Sequence, residues 1–271
     1  MQSPYDIDFY LLIPCYNNIE GLARSLRSVK YDSDKFIVLI VDDGSDEPIE
    51  KENLLSLAQI NLPLEIIRMP QNQGITKALN AGLKWIGTKN NFQYIARLDC
   101  GDICDPKRFY DQVQFLDKNQ HIDLVGSWCV FKNFSTGLSY EYRTATEHSA
   151  ISKSMHLKNI FIHPTVMCRA EAVNKWGPYP EQFPYAEDYG LFYNILRNGH
   201  CAVIPAMLVT CEINPKGISL SHRREQLKSR IKVVNHYGTS NVFKAIGVLR
   251  LMMLIAMPYK IGLLIKRLLY S

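Results

Sequence analysis

The sequence has no CxxC pair. Its seven cysteines, Cys15, Cys100, Cys104, Cys129, Cys168, Cys201 and Cys211, are odd in number and scattered, and several lie inside apolar runs as small hydrophobes do. This pattern argues against a disulfide framework and predicts reduced thiols on a cytosolic face. Residues 1–8 show no basic region followed by an apolar stretch, so no secretory signal is expected. There is no GxGxxG after the first apolar run and no GxxxxGK[ST] anywhere, which argues against a dinucleotide enzyme and a P-loop NTPase. Internal repeats and low-complexity linkers are also missing. In the C-terminal region the uninterrupted apolar stretch from Leu251 to Pro258 is too short to span a bilayer.

Acidic residues are scarce at the C-terminal end. From Arg223 to Ser271 ten Lys/Arg face one Glu, a charge of +9 within a chain whose total is +5, so residues 1–222 carry −4. The chain of 271 residues is 47% hydrophobic, enough for one large domain with a substantial core. Residues 1–222 therefore read as one domain and residues 223–271 as a basic tail. In the tail, Lys244, Arg250, Lys260, Lys266 and Arg267 are interleaved with Val, Ile, Leu and Met and broken by Pro258. That mixture suits a pair of amphipathic helices on a membrane surface, with cations against anionic headgroups; a C-terminal helix packed on the core shares the same periodicity. Nucleic acid is not expected as a partner, because the interleaved apolar residues suit lipid better than a phosphate backbone.

The first half alternates strand and helix. Phe9–Ile13, Phe36–Val41, Leu64–Arg68 and Tyr94–Leu98 are apolar runs of strand length; helices are expected behind Leu22/Leu26/Val29, Leu54/Leu55/Ala58 (started by Asp46 and Pro48) and Ile75/Leu79/Leu83/Ile86. Such alternation implies an α/β fold with a doubly wound, mainly parallel sheet. Beyond it the spacing predicts a helix over 106–117 capped by Asp105 with Pro106 at its first position, strands at Leu124–Phe131 and Phe161–Arg169, and a hairpin strand at Leu138–Arg143. It also predicts a helix over 148–157, another over Ala186–Arg197 stopped by Asn198-Gly199, and an extended segment from Cys201 to Ile213.

Polar clusters follow three of the strands: Pro14-Cys15-Tyr16-Asn17, Asp42-Asp43-Gly44-Ser45 and Asp99-Cys100-Gly101-Asp102. In a parallel sheet all three gather at the edge where ligands bind. Carboxylates there are suited to hold a divalent cation against a phosphorylated ligand; the blander alternative is that Asp99 and Asp102 only cap the following helix. Glu187 and Asp188 open the 186–197 helix, whose dipole keeps a carboxylate ionised, and the alternative is that they merely complement that dipole. Trp85 reads as core, whereas Trp128 and Trp176 are candidates for stacking on sugar rings.

These stretches, with Asn-Gln-Gly-Ile-Thr-Lys-Ala-Leu-Asn-Ala-Gly-Leu from Asn72, Arg-Leu-Asp-Cys-Gly-Asp from Arg97, His163-Pro164 and Glu187-Asp188, resemble family 2 glycosyltransferases from about Phe9 to Arg224. The resemblance implies the GT-A fold, with a nucleotide-binding first half and an acceptor-binding second half, and inverting transfer from a nucleotide-sugar. UDP-sugar is the expected donor and a lipid-linked or polysaccharide hydroxyl the expected acceptor, in bacterial surface polysaccharide synthesis. It implies that Pro14 and Tyr16 line the base pocket with Asn17 also on the donor side, that Asp43 or, second to it, Asp42 reads the base edge, and that Asn72, Lys77 and Asn80 stand near ribose and diphosphate. Asp188 would be the catalytic base with Glu187 its neighbouring candidate, and His163 would lie on the acceptor side. The family's metal motif is Asp-x-Asp. Here Gly101 takes the third position, so the Mg²⁺ or Mn²⁺ ligands expected are Asp99 and the displaced Asp102, or Asp99 serves ribose or the donor sugar. The enzyme would sit in the cytoplasm, peripheral on the inner membrane. The competing reading is a non-catalytic nucleotide- or sugar-binding module on the same fold.

Overall fold

The computed structural model describes residues 5–32, 34–214, 217 and 221–257. Among them the chain runs β1 (Ile7–Cys15), α1 (Ile19–Ser28), β2 (Phe36–Asp42), α2 (Lys51–Ala58), β3 (Leu64–Arg68), α3 (Ile75–Ile86), β4 (Phe92–Arg97), β5 (Ile103–Cys104) and α4 (Arg108–Lys118). It continues through β6 (Leu124–Lys132), β7 (Ser139–Tyr142), α5 (His148–Met155), a 3-10 turn (His163–Thr165), β8 (Met167–Arg169), α6 (Ala170–Trp176) and α7 (Glu187–Asn198). The last elements are β9 (Cys201–Glu212), α8 (Arg223–Tyr237) and α9 (Asn241–Ala256). The tail positions Pro258, Lys260, Lys266 and Arg267 lie outside the described residues.

One sheet holds the strands in the order β3-β2-β1-β4-β8-β6-β9-β5, with β7 paired to β6. The first four are parallel, as the alternation predicts. β8 then runs antiparallel to both β4 and β6, while β9 returns parallel to β6. The side-chain alternation of β1 explains the layering. Phe9, Leu11 and Ile13 pack with Leu22 and Leu26 of α1, Leu54 of α2 and Phe109 and Val113 of α4. Tyr10 and Leu12 face the other way, toward Leu79 of α3 and Phe192 and Ile195 of α7. A strand buried on both faces needs apolar residues at every position, which is why β1 reads as a continuous run.

Local differences from the sequence reading have local causes. Phe161–Arg169 is not one strand, because His163-Pro164-Thr165 turns as a 3-10 helix before β8. The helix expected from 106 begins at Arg108: Asp105 Oδ1 accepts the Lys107 amide at 2.9 Å, so Asp105 caps a turn over 106–107 that precedes the helix. α2 likewise starts at Lys51 rather than behind Pro48, since Asp46 is tied to Asn17.

α8 joins the core through Leu227, Val233, Val234 and Tyr237, and α9 follows through Leu251. The Arg223 guanidinium donates to the carbonyls of Leu254 (2.7 Å) and Met257 (3.4 Å), satisfying the end of α9. Val242, Ile246, Leu249, Met252 and Met253 of α9 are exposed. No described helix is long and apolar enough to cross a membrane.

Candidate active site

β1, β2 and β4 end at one edge of the sheet, with Cys15 in register with Asp42 and Leu12 with Arg97. Asn17 then turns with φ 48°, donates to Asp46 at 3.0 Å and accepts its amide at 2.9 Å, so the first loop is clasped to the second. Tyr16 stands beside it with 47% of its surface exposed, behind the buried Pro14.

The two adjacent aspartates divide their work. Asp42 is fully buried, and it accepts from Arg68 Nη1 at 2.5 Å, the Ser45 amide at 2.9 Å and the Ile49 amide at 3.4 Å. Burial alone raises its carboxyl, but the bonds from Ser45, Arg68 and Ile49 outweigh that and hold it below the ordinary value. Its oxygens are committed to its own loop. Asp43 accepts the amides of Gln73 and Gly74, both at 2.9 Å, and so fixes the loop that opens α3. Each of its oxygens retains room for one further donor. Asn72 accepts the Gly74 amide at 3.1 Å and Lys77 is exposed on the first turn of α3. Asn80 is turned inward, donating to the Tyr179 carbonyl and accepting the Tyr179 amide, both at 2.9 Å. That amide is occupied by the protein's own backbone.

Asp99 is the electrostatic centre. Its Oδ1 accepts from Arg97 Nη2 at 2.5 Å, its other oxygen has no partner among the described residues, and the side chain is 36% exposed. Its charge raises the pKa of Asp102, Glu187 and Asp188, so these four carboxyl groups share one field. Asp102 is buried and accepts the Glu212 amide at 2.7 Å; burial first, then Asp99, pushes its carboxyl well up. Between them Gly101 adopts φ +107°. Among the described residues no group of three His, Cys, Asp or Glu side chains is placed to hold a metal ion.

Glu187 and Asp188 open α7. Burial, then Asp188 and Asp99, lifts Glu187 to about 7, and its Oε2 is buried without a hydrogen-bond partner. Asp188 accepts from Asn159 at 3.0 Å and from the Tyr189 amide at 2.7 Å. Its pKa is raised by burial despite Arg230 and those bonds. His163 is buried, its Nε2 lying 3.2 Å from Arg97 Nε and 2.9 Å from the Tyr179 hydroxyl. Burial and Arg97 depress its pKa well below 6.5, so the ring is neutral and its Nε2 is not free for an acceptor hydroxyl. Trp85 packs edge-on against Tyr10 as core, Trp128 donates to the Thr144 carbonyl, and Trp176 lines a cavity of about 340 Å³ with Tyr179, Glu181 and Tyr237.

The glycosyl transferase family 2 model matches residues 10–176, more than half of the chain. The chain belongs to that family. The glycosyltransferase is 29% identical over 248 residues to the amylovoran biosynthesis glycosyltransferase AmsE of Erwinia amylovora, covering 89% of each chain. It is 26% identical over 162 residues to the UDP-Gal:alpha-D-GlcNAc-diphosphoundecaprenol beta-1,3-galactosyltransferase of Escherichia coli, covering 60% of this chain and 57% of that protein. Its fold matches the mannosyltransferase PcManGT of Pyrobaculum calidifontis, solved with GDP-Man and Mn²⁺, at a TM-score of 0.64 and 17% identity, over 92% of this chain and 72% of that one. The GT-A architecture expected from the sequence is therefore present, and the protein is an enzyme of glycosyl transfer.

Three residues that carry this glycosyltransferase's site geometry went unassigned in the sequence reading. Arg97 anchors Asp99. Arg24 donates to the Gly101 carbonyl at 3.2 Å and pairs with Glu212 at 2.6 Å, and Glu212 in turn covers Asp102. Arg97 was the detectable one, as a charged residue at the end of an otherwise apolar strand; Arg24 and Glu212 are 188 positions apart, and no local pattern links them.

Proposed function

We propose that this glycosyltransferase moves a sugar from a UDP-sugar to a hydroxyl of a lipid-linked or polysaccharide acceptor, with inversion, in bacterial surface polysaccharide synthesis. The observation that carries the reading is the common field of Asp99, Asp102, Glu187 and Asp188 at the ligand-binding edge of the sheet. The Asp99 charge raises the carboxyls of Asp102, Glu187 and Asp188, and such a cluster favours a cation on one side and a base on the other. The relatives' names support the rest: one acts on amylovoran biosynthesis, the other uses UDP-Gal and a diphosphoundecaprenol acceptor.

The residues fit a divalent cation, Mg²⁺ or Mn²⁺, on Asp99 through its unpartnered oxygen, with Asp102 beside it; a protein set this small leaves the remaining positions to diphosphate and water. Bound there, the cation would neutralise the charge that develops on the departing diphosphate. Pro14, Tyr16 and Asn17 frame the base, with Asp43 at its edge, and Asn72 and Lys77 lie toward ribose and diphosphate. Asp188 takes the acceptor proton as its oxygen attacks the anomeric carbon; a carboxylate with a raised pKa is the stronger base. The exposed Val242, Ile246, Leu249 and Met253 of α9, in a basic segment, support a place on the cytoplasmic membrane face.

The test is nucleotide release from UDP-, dTDP- and GDP-sugars with Mn²⁺, Mg²⁺ or EDTA, alongside direct nucleotide binding. Metal-dependent release from one donor, lost in Asp102→Ala and cut by about 10²–10⁴ in Asp188→Asn, is expected. No nucleotide binding at all would refute the reading. For the membrane, flotation of the full chain with anionic vesicles should be lost in Ile246→Glu/Leu249→Glu; equal flotation of both proteins would remove that part.

A further inference from the structure

Arg97 is a cation buried to 2% exposure at the end of β4, and nearly every donor of its guanidinium is accounted for. Nη1 donates to the carbonyls of Leu12 at 2.5 Å and Leu98 at 3.1 Å, Nη2 to Asp99 Oδ1 at 2.5 Å, and Nε to His163 Nε2 at 3.2 Å. Arginine only donates, so His163 Nε2 carries no proton and the imidazole proton is on Nδ1. The Tyr179 hydroxyl, 2.9 Å from the same nitrogen, must then donate to it as well. Tyr179 is itself held through its backbone by both ends of the Asn80 amide. The result is an unbroken buried line from α3 through Tyr179, His163 and Arg97 to Asp99. A neutral histidine in this line is what allows it: it accepts from the guanidinium without adding a second positive charge.

We propose that Arg97, His163 and Tyr179 are positioning residues that lock Asp99 in the orientation that receives the donor's cation and diphosphate, one oxygen pinned and the other presented. The proposal rests on the donor-side assignment of Asp99 made above. Three properties support it over a purely structural ion pair. The pair is asymmetric, with Arg97 buried and Asp99 36% exposed. The carbonyls of Leu12 and Leu98 fix the guanidinium plane independently of Asp99. Among the described residues the free oxygen of Asp99 faces no protein donor. The chain also joins the donor-side acid to the 177–183 loop that leads into Glu187 and Asp188, so the two halves of the site share one set of hydrogen bonds.

The experiment is calorimetric titration of the full chain with UDP, and in parallel GDP, in the presence of Mn²⁺, with Tm measured for each variant. Outer partners of a metal ligand are typically worth 10–100-fold in affinity, so Arg97→Lys, which cannot reproduce the planar fork, should weaken Mn²⁺-dependent binding by at least about tenfold. His163→Leu and Tyr179→Phe should weaken it by a smaller factor, and His163→Gln, which restores an acceptor, should recover it. In an Asp99→Asn background Arg97→Lys should add little, because the residue it positions is already disabled. Equal losses from Arg97→Lys in both backgrounds, or His163→Gln no better than His163→Leu, would overturn the proposal. So would a fall in Tm with unchanged binding. If Arg97→Lys does not fold, the His163 and Tyr179 series decides. Wild-type binding by Asp99→Asn, or no binding of either nucleotide by the wild type, would instead remove the donor assignment on which the proposal stands.

Discussion

Gly101 passes so close to Glu212 that a β-carbon on the glycine would lie 2.5 Å from Glu212 Oε2. The position also has φ +107°, a conformation that side chains disfavour. The loop that carries Asp99 and Asp102 is therefore built around a glycine, and a side chain there would both strain the backbone and displace the end of Glu212.

Restoring the usual motif should consequently fail. Gly101→Asp is expected to lower stability by about 1–3 kcal/mol through backbone strain and to break the Arg24–Glu212 pair, without raising metal-dependent activity. Thermal unfolding and nucleotide release measured on the same preparation check this; a variant as stable as the wild type and more active would show that the loop can open to accept the side chain.

Asp42 and Asp43 should separate cleanly. Asp42→Asn leaves Arg68 and two amides poorly matched, and a loss of about 2–3 kcal/mol is expected with little change in the affinity of the remaining folded protein for nucleotide. The folded carboxyl is depressed, so its contribution is present above the ordinary pKa of 3.8 and disappears as pH falls through the lower folded value. The difference in Tm between Asp42→Asn and wild type should thus shrink on strong acidification. Asp43→Asn should instead loosen the 72–74 loop and weaken nucleotide binding.

The sheet and its ligand-binding edge were readable because their cause is local: continuous apolar runs, each followed by a polar cluster. Phe161–Arg169 was misread because His163 and Thr165 fit an extended pattern and only tertiary contacts make them turn. The resemblance puts Asn80 near ribose and diphosphate; that its amide is held by the backbone of Tyr179, 99 residues away, has no local signal. The place of Asp188 at the start of a helix is a local cue, whereas the burial that raises its carboxyl and the Arg230 that opposes it are not. α6 was not anticipated, since Ala170–Trp176 is seven residues with too short a period to read.

Glu187 sets a pH dependence that can be measured without substrate. Its folded pKa of about 7 lies above the ordinary 4.5, raised by burial, Asp188 and Asp99, so the fold favours the protonated carboxyl. That stability is fully present below about pH 4.5 and is lost as pH rises through about 7, on the order of 3 kcal/mol in all. In EDTA, Glu187→Gln should match the wild type near pH 5 and exceed its Tm increasingly up to pH 8. Parallel Tm curves across that range would show that Glu187 ionises freely in the folded protein.

α9 packs Leu251, Val248, Leu254 and Ile255 on the core and is brought close to α5 at one glycine. A β-carbon on Gly247 would collide with the His156 carbonyl oxygen, and the His156 ring holds the turn into α9 by accepting the amides of Thr239 at 3.1 Å and Ser240 at 3.2 Å. Its Nε2 accepts, so Nδ1 carries the proton and donates to the Ser152 carbonyl at 3.0 Å. Gly247→Ala must push the helix off α5, at a cost of about 1–3 kcal/mol typical of overpacking. Buried contacts such as Leu251 would be lost with it, while the carboxylates at the sheet edge lie on other elements. Limited proteolysis followed by mass spectrometry should therefore find new cuts within 238–257, with nucleotide binding retained. An unchanged digestion pattern would mean that α9 tolerates the shift, and that its hold on the core comes from Arg223, which caps its far end, rather than from the glycine contact.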